Sequence, residues 1–298
     1  MIGIACSTTP RASANDAPGA QRTFASPQDA IQALFGAVRA HDKAALRDIF
    51  GPEVQGLLPG DEALSKANSE GFAEAMMEGA KPVSEGADRI ILEIGSNEWP
   101  FPVPLVKENS AWRFDTAAGK DELLNRHIGK DELHAIGVCE AYVRAQKQRA
   151  GDSPGAAPYA RKFRSTPGKM DGLYWETAPG GAPSPFSEAV VEAAVDAGGA
   201  PAKPFHGYFF RILTRQGAAA PGGRMNYVKD GSLSRGFALE AYPRHWGRSG
   251  IMTFIVDQDG KIYQRDLGKR TPRAAAAMKE YNPDGDWTPV KDRGVLEK

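Results

Sequence analysis

Residues 251–260 read Ile251-Met252-Thr253-Phe254-Ile255-Val256-Asp257-Gln258-Asp259-Gly260, and the first six decide the fold. A strand with one wet face alternates apolar and polar side chains. This run is apolar on both faces, so it predicts a central strand covered by a helix. Three further β-rich runs, 205–214, 235–242 and 261–267, complete an antiparallel meander around it. Asp230-Gly231 and Asp259-Gly260 accept positive φ and predict two-residue hairpins. The covering helix is expected over about 130–149, with Leu133, Ile136, Cys139 and Val143 on its apolar stripe. Loops are expected at 151–158, 166–172 and 179–185, a short helix at 186–196, and a last short helix from Thr271-Pro272.

Towards the amino terminus the period changes. Ser26 can cap a helix, Pro27 suits its first turn and Asp29 its positive end; Ile31, Leu34, Phe35 and Val38 then follow at helical spacing. Asp42 restarts a short helix carrying Leu46, Ile49 and Phe50, which Gly51-Pro52 stops. A third helix is expected over 61–78, with Leu64, Phe72, Ala75 and Met76 inward. Runs 89–94, 103–107 and 111–115 then read as short strands, broken by Gly95 and by Pro100, Pro102 and Pro104. The fold class is therefore α+β. Residues 1–25 are expected to be a signal remnant and flexible tether. Residues 26–128 are expected to form a helical, curved-sheet domain and 129–298 a helix-plus-meander domain. The order of the first domain is similar to the cone shared by cystatin-like and nuclear-transport-factor-2-like folds.

Composition narrows the function classes. The 298 residues carry 37 Lys plus Arg and 37 Asp plus Glu, so the net charge is zero and polyanion binding is no default; no nucleic-acid partner is expected. With 41% hydrophobic residues the chain can bury a full core. No apolar run reaches the roughly 18 residues of a membrane span, so any membrane association would run through a lipid anchor. Met1-Ile2-Gly3-Ile4-Ala5-Cys6, followed by a Ser-, Thr-, Ala- and Pro-rich stretch, is similar to the end of a lipoprotein signal with its tether. Gly3 stands where that signal has leucine. Three readings stay open: lipidation at Cys6, another export signal, or an incidental tail.

The run Phe205-His206-Gly207-Tyr208-Phe209-Phe210-Arg211-Ile212-Leu213-Thr214 is followed by Gly236-Phe237-Ala238-Leu239, Gly250-Ile251-Met252-Thr253-Phe254-Ile255-Val256 and Asp266-Leu267-Gly268. Together with Ser165-Thr166-Pro167-Gly168-Lys169 and Asp171-Gly172-Leu173-Tyr174-Trp175, it resembles the secreted bacterial family catalogued as domain of unknown function 2950. The resemblance covers about 26–290 and implies an exported envelope protein, without a known reaction. Residues 130–268 are also similar, more weakly, to the globular heads of type IV pilins and pseudopilins, although the long hydrophobic helix by which pilins polymerise has no counterpart here.

Chemistry-bearing patterns are sparse. The histidines His41, His127, His134, His206 and His245 lack an HExxH spacing. His127 and His134 could share a helix face only if one helix spans both, against which Gly129 argues, so neither a metal nor a cofactor is expected. Pro221-Gly222-Gly223 and Gly180-Gly181 read as loops, not phosphate cradles. Gly247-Arg248-Ser249-Gly250 is one residue short of a nucleophile elbow and precedes a strand. Cys139 lies on an apolar stripe and reads as a core thiol. The most suggestive cluster is His206, Tyr208 and Arg211 on the first strand of the meander, with Tyr242, Arg244, His245 and Trp246 after the second; such residues stack on ligands and partners.

The expected function is a non-catalytic envelope protein, periplasmic or lipid-anchored, that binds a protein or glycan partner through that cluster. The alternative is a small-ligand carrier or enzyme using a cone lined by Trp99, Trp112 and Phe114, with Arg113 or Asp115 at its mouth.

Overall fold

The structure, a computed structural model, describes residues 21–56, 62–151, 158–177, 180–181, 183–195 and 203–291. The expectations for Cys6 and the tether before residue 21 lie outside them, as do those for the side chain of Leu64 and the start of the third helix at Asp61. The fold is α+β, and the chain divides into two compact units, Met1–Asn125 and Arg126–Lys298. Among the described residues no helix is long and apolar enough to cross a membrane.

In the first unit, α1 (Pro27–Arg39) begins where Ser26 Oγ accepts from the backbone N–H of Asp29. In α2 (Lys43–Phe50) Asp42 caps the N–H groups of Ala44 and Ala45, and Gly51 ends the helix at φ 76°. These caps satisfy N–H groups that no helical carbonyl can reach. After α3 (Glu62–Glu78) come β1 (Ala80–Ser84), β2 (Arg89–Ile94), β3 (Trp99–Pro100), β4 (Leu105–Glu108) and β5 (Ala111–Phe114). They form an antiparallel sheet in the order β1-β2-β4-β5, with β3 also on β2. β1 was not expected, because Lys81-Pro82 lacks strand character; as an edge strand it tolerates the proline opposite Leu92.

Leu34, Ile49, Leu92, Leu105 and Phe114 fill the core of this unit. Phe114 is fully buried, with ring centroids 5.2 Å from Phe50, 6.3 Å from Phe101 and 6.4 Å from Phe24. The cone expected between Trp99, Trp112 and Phe114 is thus occupied by packed aromatic rings at Phe114 and Trp112, while Trp99 faces outward. Arg113 pairs with Glu108 at 2.6 Å, and Asp115 accepts from the N–H of Ala118.

Helix α4 runs Thr116–Ala150, well ahead of its expected start near residue 130. Gly129, read as an obstacle to a continuous helix, lies inside it, and so does Gly119. At Gly119 a Cβ would come within 2.6 Å of Val103 Cγ2, so that glycine lets the first turn pack closely. Gly129 weakens the helix by only about 1 kcal/mol relative to alanine, which a helix of this length absorbs.

In the second unit α4 covers a sheet of order β14-β13-β12-β11-β6. The strands are β6 (Tyr208–Leu213), β11 (Ala238–Pro243), β12 (Met252–Asp257), β13 (Tyr263–Asp266) and β14 (Thr288–Pro289), all antiparallel. The doubly apolar run is the central strand β12. Ala135, Cys139, Tyr142 and Gln146 are the fully or nearly fully buried face of α4, and Tyr142 Oη donates to Ala238 O. Outside the main sheet, β7 (Arg215–Gln216) pairs with β8 (Met225–Asn226) and β9 (Val228–Lys229) with β10 (Ser232–Leu233).

Asp230-Gly231 closes the β9–β10 hairpin with φ 50° and 78°, so this turn is small and local. Asp259-Gly260 does not close a two-residue hairpin: residues 258–262 separate β12 from β13, and Asp257 Oδ1 accepts from Asp259 N inside that loop. Short helices α5 (Glu188–Glu192) and α6 (Thr271–Ala277) complete the unit.

Candidate functional site

Ahead of β6 the chain makes a tight reversal. Phe205 and Tyr208 exchange both backbone hydrogen bonds at 3.0 Å, and the two residues between them have positive φ, 43° at His206 and 70° at Gly207. That pair of signs defines a type I′ turn, whose first position favours asparagine or aspartate. Histidine is among the residues that enter this left-handed region more readily than most. A Cβ at Gly207 would stand 2.5 Å from Ser249 Cβ and 2.8 Å from Asp131 Oδ2, so the turn presses directly against α4 and the loop at 245–249.

Helix periodicity supplies the other wall. His127, Asp131 and His134 stand at i, i+4 and i+7 of α4, one face of a continuous helix. The obstacle read in Gly129 is absent, because the helix runs through it. Asp131 is only 4% exposed, and its Oδ2 lies 3.3 Å from Nε2 of exposed His127. His134 Nδ1 is 2.8 Å from Lys130 O. A carbonyl only accepts, so Nδ1 carries a proton, and in the neutral ring Nε2 keeps its lone pair. The rings of His134 and His206 stack at 3.6 Å and 7°, and Phe205 packs its ring 4.5 Å from that of His206, nearly perpendicular to it. One ligand atom from each of Asp131, His134 and His206 lies within 4.8 Å of the others.

Burial pushes the Asp131 carboxyl above its ordinary range, against the pull of His127, His206, His134 and Lys130. Desolvation lowers His206, and the neighbouring His134 lowers it further. Beside them Glu132 Oε1 accepts from the N–H groups of Ile251 (2.8 Å) and Met252 (3.0 Å), tying the start of the central strand to the helix.

Only part of the expected cluster reaches the surface. His206 and His245 are exposed, and half-buried Trp246 donates from Nε1 to Asp266 at 2.7 Å. Tyr208 is fully buried and donates to Met252 O at 2.8 Å. Tyr242 is buried against Phe209. Arg211 points inward, directly across from fully buried Glu240, and donates to that carboxylate and to the carbonyls of Ala275 and Met278. The single exposed face expected at these positions is therefore corrected: helices cover both sides of β11, Tyr208 and Tyr242 are buried, and half-buried Arg211 is turned onto Glu240. His206 is corrected from strand to turn.

Asp131 and Glu240 escaped the sequence reading. The local signal for Asp131 was its i, i+4 spacing from His127; that for Glu240 was a lone charge inside the apolar run 237–242. Of the remaining candidates, exposed His41 belongs to the first unit, Cys139 is fully buried with its thiol pushed up, and Ser249 Oγ is engaged with the backbone of His245. No curated protein and no solved structure matches the chain. A sequence family does match, across residues 21–290, and takes in both the buried Glu240–Arg211 pair and the histidine cluster; the chain belongs to that family, DUF2950, described as proteins of unknown function.

Proposed function

We propose that this chain is an exported bacterial envelope protein, periplasmic or lipid-anchored through Cys6, that works by binding a protein or glycan partner rather than by catalysis. The contact region is the end of the second unit formed by the His206-Gly207 turn and the loop at 245–249. One observation carries this reading: an exposed histidine is held at positive φ on a tight turn, stacked on a second histidine, with His245 exposed on the neighbouring loop. Backbone strain of this kind persists where surrounding packing enforces it and concentrates at binding sites. The ligand is not placed in the first unit, where Phe114 fills the space with its aromatic neighbours.

A photo-crosslinking amino acid at exposed Arg248, introduced in the native host, tests this. A discrete crosslinked protein, absent when the probe replaces exposed Glu98, is the expected result for a protein partner. Cosedimentation with cell-wall glycan that His245→Ala plus Trp246→Ala weakens is the expected result for a glycan. Failure of both sinks the reading. Mass spectrometry of the membrane fraction tests the anchor: a diacylated Cys6 peptide is expected, and an unmodified Met1 to Arg11 peptide in the cytosol would exclude it.

A further inference from the structure

We propose that Asp131, His134 and His206 form a binding site for a divalent transition-metal ion of the zinc type. The site goes beyond the partner-binding reading and does not depend on it. The first argument is spacing. Ligand atoms around one tetrahedral ion at about 2.0–2.2 Å lie roughly 3.4 Å apart, and those of Asp131, His134 and His206 already lie within 4.8 Å of one another. The remaining difference is of the size that a change of side-chain rotamer covers. His206 is exposed, and loading requires its ring to leave the face-to-face stack on His134 so that the nitrogens converge.

The second argument is the state of the ligands. Metal-binding histidines characteristically donate their other ring N–H to a carbonyl or carboxylate, which fixes tautomer and orientation. His134 does this to Lys130 O at 2.8 Å, which leaves Nε2 for the metal. Asp131 is buried, and among the described residues its polar partner is the exposed ring of His127 at 3.3 Å, placed to steady the carboxylate from outside. The backbone contributes as well: with glycine at 207, the turn comes close enough to bring His206 over the helix.

The donor set narrows the ion to the divalent transition metals that imidazole suits. Two imidazole nitrogens with one carboxylate oxygen are too nitrogen-rich for Ca²⁺ or Mg²⁺, which take oxygen ligands, and lack the thiolate or thioether that Cu⁺ prefers. Zn²⁺ suits them, and three protein ligands leave one position open.

The test uses the full chain without an affinity tag, stripped with a chelator and titrated with Zn²⁺ alone by calorimetry. One equivalent per chain is expected, together with the visible absorption of tetrahedral Co²⁺ when cobalt replaces zinc. His134→Gln and His206→Asn should each weaken Zn²⁺ binding at least tenfold, and His245→Ala should leave it unchanged. Asparagine suits a type I′ turn, so the His206 variant removes the ligand while preserving the fold, as circular dichroism would verify. No Zn²⁺ uptake by the parent chain, or undiminished uptake by folded His206→Asn, overturns the proposal.

Discussion

Two of the carboxylates buried in the second unit, Glu240 and Asp131, are compensated in opposite ways. Glu240 is fully enclosed, sits across the ladder from Arg211, and shares that guanidinium with carbonyls at the end of α6. Asp131 is almost as buried, yet the side chain 3.3 Å from its carboxylate is an exposed histidine, and two further imidazoles crowd its rim. The first arrangement is closed: Arg211, only 16% exposed, lies between the Glu240 carboxylate and the carbonyls at the end of α6. The second is open, because two of the three imidazoles around the carboxylate, His127 and His206, are exposed and can trade it for a ligand. Burial of a carboxylate thus marks a structural pair in one place and a candidate site in the other, and the exposure of the partner tells them apart.

The largest effect should come from breaking the closed pair. Arg211→Ala strands the Glu240 carboxylate and should destabilise the protein by about 3–5 kcal/mol in chemical denaturation, whereas Arg211→Met combined with Glu240→Leu should be nearly neutral. Asp131→Asn, which removes the charge at the open cluster, should change stability by less than about 1 kcal/mol. Equal losses in Arg211→Ala and Asp131→Asn would erase the distinction.

Next in size is the turn that presses on the open cluster. Gly207→Ala adds a methyl against Ser249 and Asp131 and places alanine at φ 70°, so a loss of about 2–3 kcal/mol is expected. Gly129→Ala, in open space on the same helix as Asp131, should instead gain about 0.5–1 kcal/mol. A tolerated Gly207→Ala would mean that the turn does not bear on the helix.

These contrasts also show which parts of the molecule were legible in its sequence. The caps at Ser26 and Asp42, the stop at Gly51 and the doubly apolar strand at 252–256 depend on neighbours within a few residues, and all appear as expected. The pairing of Glu240 with Arg211 spans 29 residues of sequence and the stack of His206 on His134 spans far more, so no local pattern announces either. His206-Gly207 was hidden for a different reason: its aromatic surroundings, Phe205 and Tyr208 to Phe210, look like uninterrupted strand. Asp259-Gly260 erred the other way, since a favourable dipeptide sits in a longer loop in which Asp257 accepts from Asp259 N.

A third buried carboxylate sharpens the comparison through pH. Burial pushes Asp257 from 3.8 up to about 6, and Asp259 adds repulsion. The folded state therefore holds its proton to higher pH than the unfolded chain, and the stability linked to that proton falls as pH rises from about 4 to about 6. Asp257→Asn keeps an oxygen acceptor for Asp259 N and should overtake the parent across that window, by about 1–2 kcal/mol at pH 7. A stability difference that stays flat between pH 4 and 7 would show that Asp257 is not a strained carboxylate.

The smallest expected effect separates fold from function most cleanly. His206-Gly207 and Asp230-Gly231 have the same backbone signs, and the second is a turn with aspartate where that geometry favours it. If histidine stood at 206 for the turn, asparagine would be a poor exchange; on physical grounds it is the better turn residue. His206→Asn should thus hold or raise stability, by no more than about 0.5 kcal/mol, even though it dismantles the stack on His134. Stacking between aromatic rings contributes about 0.5–1.5 kcal/mol beyond burial, so a loss above about 1 kcal/mol would assign His206 to the architecture. A gain would leave the histidine without a structural reason, and its place would follow from what it binds.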